Sequence, residues 1–304
     1  MSVHWKSLLL QIRRPIIENN RIENSLLLNA SGRSGSTWLA EILNYRNDFR
    51  VIFEPFHPYR SISLFQGLTQ REYLVEQGDK PTLEKGIELV LSGRIRHAWV
   101  DHLNRRIRVE RRLIKTIRAN LMLPFIQRYY PQVKIVFLIR HPLPTVLSRI
   151  RMGWKPLLDD FTTQPQFCAD FGYLLKNHET RCDSLLEKHL HSWCLEHHVP
   201  LKLLRNDNVH VVFYEDLVAD PMRTCEELFS FVGLEMDESL SGRLNSPSAM
   251  SVHSDKKKNQ PEGESIMPPD EVDEILHLYK LDFLYDTSGV PKTRASEVLN
   301  GLKA

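Results

Sequence analysis

Apolar residues fall into two kinds of stretch along this chain. Five short runs, at residues 25–28, 50–53, 113–115, 133–139 and 209–213, are apolar or β-branched with little alternation. That is the pattern of strands covered on both faces in a parallel sheet. The run VKIVFLI at 133–139 is the most strand-like and predicts a central strand. Other stretches carry apolar residues at helical spacing. These are Trp38, Leu39, Ile42 and Leu43; residues 121–129; residues 142–151; residues 166–199, as one or two helices stopped by Pro200; and residues 271–285, with Val272, Ile275, Leu276 and Tyr279 on one face. Asp220 before Pro221 predicts a further helix start, with a cap and a proline in the first turn. Strand and helix alternate, so the pattern predicts an α/β domain with a central, mostly parallel sheet flanked by helices.

The same pattern sets the boundaries. Residues 1–24 read as a lead-in, 25–290 as the domain and 291–304 as a C-terminal tail. Within the domain, 59–110 reads as a mostly helical, polar insertion over the sheet edge, placed to shape an acceptor site. Residues 239–269 lose periodicity, are rich in Ser, Pro, Lys and Asp, and read as a long loop.

Composition narrows the function classes. With 42% hydrophobic and 26% charged residues, the 304-residue chain is globular rather than disordered. Its 40 basic and 38 acidic residues leave a net charge of +2, which gives no general pull toward nucleic acid. The local cluster Arg105, Arg106, Arg108, Arg111 and Arg112 reads as a solvated face or a surface for an acidic substrate. Four cysteines without a C-x-x-C pair read as reduced thiols in a cytoplasmic protein. The run Leu8, Leu9, Leu10 is cut short by Arg13, Arg14 and Pro15, which predicts neither a signal peptide nor stable membrane insertion. His189, His191, His197 and His198 lack metal-ligand spacing and read as the coat of a helix surface, so no metal site is expected.

The first chemical anchor follows the first strand. The turn Ala30-Ser31-Gly32-Arg33-Ser34-Gly35 runs into Ser36 and Thr37 at the start of a helix. Strand, glycine-rich turn and helix N-terminus make an anion cradle, because unpaired main-chain N–H groups and the helix dipole meet there. Laid on the nucleotide-triphosphate loop G-x-x-x-x-G-K-[ST], the stretch puts Ala30 at the first glycine, Gly35 at the second and Ser36 where the lysine belongs. The positive charge is instead Arg33, inside the turn. The second anchor is the strand 133–139 delivering Arg140 at its C-terminal end, where ligands bind in open α/β sheets. Ser148 lies eight residues on, roughly two helical turns away, so that both side chains can close on one phosphate.

These two anchors resemble those of sulfotransferases that use 3′-phosphoadenosine 5′-phosphosulfate (PAPS). Arg33-Ser34-Gly35-Ser36-Thr37-Trp38 is similar to the family's 5′-phosphosulfate loop, and Arg140 with Ser148 to its 3′-phosphate motif. The resemblance implies a P-loop nucleotide-binding fold and PAPS as co-substrate. It also implies a nucleotide site made by Gly32, Arg33, Ser34, Gly35, Ser36, Thr37, Trp38, Arg140 and Ser148. Glu54, in Phe53-Glu54-Pro55-Phe56-His57, matches a glutamate proposed in carbohydrate sulfotransferases as the base for the acceptor hydroxyl. A base gains from a pKa raised by burial. Glu54 could equally tie down the turn or pair with an arginine, and His57 is the substitute base. Lys115 matches a lysine that neutralises charge at the sulfate or orients the base, though a lysine at a strand end is often only solvated.

The family's Tyr-Glu-Asp-Leu run appears as Tyr214-Glu215-Asp216-Leu217, whose acids read as structural, binding loop amides or the region of Arg140. Residues 246–251 and Lys256, Lys257 and Lys258 fall where the family covers the nucleotide. The expected activity is transfer of a sulfuryl group to an acceptor hydroxyl on a carbohydrate, glycolipid or other small metabolite. A P-loop kinase using ATP and magnesium, or a non-catalytic nucleotide binder of the same fold, is the competing expectation.

Overall fold

The computed structural model describes residues 16–177, 182–244 and 267–303. Its strands are β1 (Ser25–Ala30), β2 (Phe49–Phe53), β3 (Arg111–Thr116), β4 (Lys134–Ile139) and β5 (Val209–Phe213), paired in the order β2-β3-β1-β4-β5. Every pairing is parallel. The helices are α1 (Ser36–Leu43), α2 (Pro81–Leu91), α3 (Ala98–Asp101), α4 (Leu123–Tyr129), α5 (Pro142–Arg151), α6 (Leu158–Thr162), α7 (Pro165–Leu175), α8 (Leu185–Leu203), α9 (Tyr214–Ala219), α10 (Pro221–Val232), α11 (Ser239–Leu244) and α12 (Pro269–Leu278).

Successive strand residues feed two cores. Leu27, Ile52, Ile114, Phe137 and Val211 face one, packed against Leu123, Phe125, Leu190 and Trp193 of α4 and α8. Leu26, Leu28, Leu113, Val136 and Val212 face the other, under Leu39 and Ile42 of α1 and Leu228 and Phe229 of α10. A strand with helices on both sides has no polar face, which is why these runs read as continuous. This is the α/β fold with a central parallel sheet that the pattern predicts, and its glycine-rich β1–α1 loop agrees with the P-loop type that the resemblance implies.

Several expectations need correction. Within 59–110 only α2, α3 and a 3₁₀ turn at Ser63–Phe65 are helical; the rest is turn and extended chain, with left-handed Gly67, Gly78 and Gly93 breaking the helical path. Pro200 does not stop α8, which continues to Leu203. A proline removes the N–H that would bond the carbonyl four residues back, and here the Asn120 side-chain amide donates to that carbonyl, on Glu196, at 3.2 Å. The long loop expected at 239–269 opens with α11 and runs at Pro269 into α12; residues 245–266 between them lie outside the described residues, as do residues 1–15 of the lead-in. The last helix ends at Leu278, where the chain turns through Lys280 at φ 54°; Leu281, Leu284 and Tyr285 then enter the core singly. Val298, Leu299 and Leu302 of the C-terminal segment are buried in the same core.

The four histidines of α8 are buried, not a surface coat. The helix is covered by the sheet on one side and by the C-terminal segment on the other. Each ring finds a partner there: His189 with the Trp154 carbonyl, His191 with the Tyr279 hydroxyl, His197 with the Trp193 carbonyl and His198 with the Tyr279 carbonyl. All four cysteines are unpaired. No helix among the described residues is long and apolar enough to cross a membrane.

At the N-terminal end of the sheet sits a closed ion-pair cluster. Arg50 of β2 pairs with Glu18 and, at 2.8 Å, with Asp101; Arg112 of β3 pairs with Glu18 at 3.0 Å. The two guanidinium groups spend their other N–H groups on the main-chain carbonyls of Asn19, Arg21, Leu91, Gly93 and Ile95 and on the Ser25 hydroxyl. The cluster fastens the lead-in and the segment after α2 to the sheet.

Candidate active site

Glu54, Lys115, Arg140 and the β1–α1 loop lie at the C-terminal ends of strands, and Ser148 reaches the same edge from α5. The β1–α1 loop is held open by glycine. A Cβ on Gly32 would stand 2.5 Å from the Trp154 ring, and one on Gly35 would stand 2.6 Å from Tyr214. Gly35 caps α1 in the left-handed region at φ 89°, and Arg33 is left-handed too, at φ 73°. A non-glycine residue there costs about 1–3 kcal/mol, strain of the kind that collects at functional sites. Ser36, Thr37 and Trp38 open the helix, where the first N–H groups have no intrahelical acceptor.

The loop and the β4 motif meet. Arg33 Nε donates to Ser148 Oγ at 2.9 Å, and an Arg140 terminal nitrogen donates to the Arg33 carbonyl at 3.2 Å. The Arg140 guanidinium lies 4.2 Å from the centre of the Tyr214 ring, and Trp38 meets the same ring edge-on at 6.0 Å. Glu215 is structural: it accepts from the His141 main-chain N–H and from the Tyr285 hydroxyl. Arg140 Nε and Ser34 Oγ are buried and have no partner among the described residues. Residues 246–251 and 256–258, expected over the nucleotide, lie outside the described residues.

Glu54 leaves β2 in a left-handed conformation, φ 43°, with its side chain buried. Its carboxylate accepts from Lys115 Nζ at 2.6 Å, Arg118 at 2.9 Å and the Ile117 main-chain N–H at 3.2 Å. Burial alone would push its pKa up, but the charges of Lys115 and Arg118 outweigh it and hold the group below its ordinary value. The rise expected from burial is therefore reversed, and Glu54 does pair with an arginine. His57 is pushed down to about 4, first by burial and then by the nearby charges of Arg118 and Arg60, so it is neutral near pH 7. Its Nδ1 accepts from the Tyr59 main-chain N–H at 3.2 Å, which leaves the ring proton on Nε2.

A third set of residues was not assigned from sequence. Glu196 of α8 is buried behind the β1–α1 loop, where it pairs with Arg71 at 2.8 Å and Arg149 at 2.7 Å and accepts from Ser31 Oγ at 2.6 Å. Burial opposes its ionisation, but the two arginines hold its carboxyl far below the usual range. Arg149 Nε also donates to the Gly32 carbonyl at 3.1 Å. Only Arg149 left a trace in the sequence: it lies between Val146 and Ile150, on the apolar stripe of α5.

The glycine-rich β1–α1 loop, Arg33, Arg140 and the two ion-paired carboxylates Glu54 and Glu196 thus gather at one edge of a P-loop-type α/β sheet. The sulfotransferase family profile matches residues 29–238, more than half of the sequence, and the chain belongs to that family. No curated protein sequence matches it. The solved structures to which it is similar include the following three sulfotransferases. STF9 of Mycobacterium avium is 11% identical with a TM-score of 0.44, over 85% of this chain and 76% of that one. The enzyme of Alicyclobacillus acidocaldarius is 14% identical with a TM-score of 0.41, over 89% and 94%. Mouse SULT7A1, solved with PAP, is 20% identical with a TM-score of 0.37, over 80% and 71%. All three scores lie below 0.5, so these likenesses add nothing to the family match.

Proposed function

We propose that the chain transfers the sulfuryl group of PAPS to an acceptor hydroxyl, releasing adenosine 3′,5′-bisphosphate, in the cytoplasm, where its unpaired cysteines would stay reduced. The carrying observation is that two distant motifs converge: Arg33 reaches Ser148, and Arg140 reaches the loop main chain. The residues fit the nucleotide. The loop amides and Arg33 would hold the 5′-phosphosulfate; Arg140 and Ser148 would hold the 3′-phosphate, and the unpartnered Arg140 Nε gives it a ready donor. PAPS supplies the sulfuryl group, whose bond to the 5′-phosphate breaks as the acceptor oxygen bonds to sulfur.

The chain's own residues position and neutralise. Arg33 and Lys115 would stabilise charge at the sulfuryl and bridging oxygens, and Glu54 would take the acceptor proton. With three donors already on it, the Glu54 carboxylate has one lone-pair site left for a hydroxyl. Its lowered pKa keeps it ionised and ready to accept at neutral pH, at the cost of basicity. His57, with its proton on Nε2 and its Nδ1 engaged, is the poorer base. Against a kinase stand Ser36 in the place of the loop lysine, Arg140 at the end of β4, and a Glu54 already claimed by two cations.

Calorimetry tests the reading. Charge-assisted hydrogen bonds are worth about 1.5–3 kcal/mol, so adenosine 3′,5′-bisphosphate should bind roughly tenfold or more tightly than ADP. Equal affinities, or a requirement for magnesium, would favour the kinase. Mass spectrometry of a panel of glycan, glycolipid and small-alcohol acceptors incubated with PAPS then identifies which gains one sulfuryl group.

A further inference from the structure

We infer that the buried triad Arg71–Glu196–Arg149 is a positioning device that sets the shape of the phosphate loop from behind, an inference that rests on the nucleotide reading above. The three side chains are almost completely buried, and none of them leaves the C-terminal end of a strand. Their bonds converge on the loop main chain and its first serine. Ser31 Oγ donates to Glu196 at 2.6 Å and accepts from Arg149. Arg149 Nε donates to the Gly32 carbonyl at 3.1 Å. The Gly32 carbonyl is thereby turned to the floor of the loop, away from any anion that the following N–H groups would hold. Arg149 also directly follows Ser148, so one turn of α5 grips the loop main chain and the Arg33 side chain together.

The triad reaches the acceptor side as well. Arg71 donates to the Gln70 carbonyl at 2.9 Å, and the Gln70 side chain accepts from Arg118, the partner of Glu54, at 3.4 Å. Packing alone does not call for such a group. Two arginines share one carboxylate, with Asp160 a further acid near Arg71, and a buried ion cluster is a weak source of stability. What it does supply is a fixed geometry, which is what transfer between two bound groups requires.

The test compares two ligands on the full chain: adenosine 3′,5′-bisphosphate, which needs the loop, and adenosine 3′-phosphate, which lacks the 5′-phosphate. Calorimetry on wild type, Ser31→Ala and Glu196→Gln gives the ratio of the two affinities, and melting curves give the stability of each variant. Loss of a charge-assisted contact is worth roughly tenfold, so the ratio should fall about tenfold in both variants while adenosine 3′-phosphate binds nearly as before. A purely structural triad would lower the melting temperature and leave the ratio unchanged, which overturns the inference. Ser31→Ala removes one hydroxyl and carries the test whether or not Glu196→Gln folds. A wild-type chain that binds neither ligand overturns the nucleotide reading itself, and a normal ratio in the variants overturns only the positioning role.

Discussion

Arginines are buried at both ends of the sheet, but their company differs. At the N-terminal end, Arg50 and Arg112 meet Glu18 and Asp101, two buried cations on two carboxylates, and the exposed Arg96 touches Glu18 from outside at 3.2 Å. Their remaining N–H groups go to main-chain carbonyls and the Ser25 hydroxyl, and no polar side-chain atom of the four is left without a partner. At the C-terminal end, Arg71 and Arg149 share Glu196 while Lys115 and Arg118 share Glu54, four cations on two carboxylates. There, Asn29 Nδ2, Ser34 Oγ, Arg118 Nε and Arg140 Nε are buried without partners among the described residues. Uncompensated buried charge is costly. A balanced, saturated cluster holds the fold together, whereas an unbalanced one gains most when an anion arrives.

The largest effect should come from breaking the balanced end. Arg112→Ala would leave Glu18 sharing only Arg50 and the exposed Arg96, and would strip several main-chain carbonyls of their donor. Removing one partner of a buried ion pair costs about 3–5 kcal/mol. Urea or thermal unfolding should register that loss, with adenosine 3′,5′-bisphosphate affinity preserved in whatever fraction folds. A variant of normal stability but weakened nucleotide binding would reverse the roles assigned to the two ends.

Glu54→Gln asks the complementary question at the unbalanced end. Losing a general base costs about 10²–10⁴-fold in kcat. The dissociation constant for PAPS should change little, because the substitution removes a proton acceptor and leaves the cations in place. Since Lys115 and Arg118 hold the carboxyl below its ordinary value of 4.5, wild-type turnover should not fall on its account until the pH drops below that value. Near wild-type turnover for Glu54→Gln, with loss in His57→Ala, would move the base to His57.

The two ends also differ in how far the sequence discloses them. Strand positions are legible because a strand covered on both faces, such as residues 133–139, must be continuously apolar. The loop is legible because close approach of the main chain requires Gly32 and Gly35 at their particular spacing. The charge partners are not legible, because pairing is a property of the folded chain: Ser31 and Glu196 are separated by 165 residues, and Arg71 and Glu196 by 125. The reversed shift of Glu54 has the same origin. Burial could be guessed from its place at a strand end, whereas Arg118, visible in the sequence, gave no sign that it turns back onto the carboxylate. The buried histidines of α8 misled for a related reason, since a neutral imidazole with one good partner is a core residue that composition counts as polar.

The smallest effect concerns Arg33, the residue that joins the loop to Ser148 and Arg140. A lysine in its place keeps the positive charge, so the variant should bind PAPS and turn over. It cannot keep the geometry, because the contact with Ser148 is made by Nε, and a single ammonium on a flexible stem offers no second fork for the phosphosulfate. Arg33→Lys should therefore fall within about tenfold of wild type in kcat/KM, roughly the value of one hydrogen bond, whereas Arg33→Ala should lose both affinity and turnover by more. Steady-state kinetics on the two variants separates the possibilities. If lysine is no better than alanine, the fork from Nε to Ser148 matters more than the charge. If lysine equals arginine, the Ser148 contact is incidental, and Arg33 acts through its charge alone.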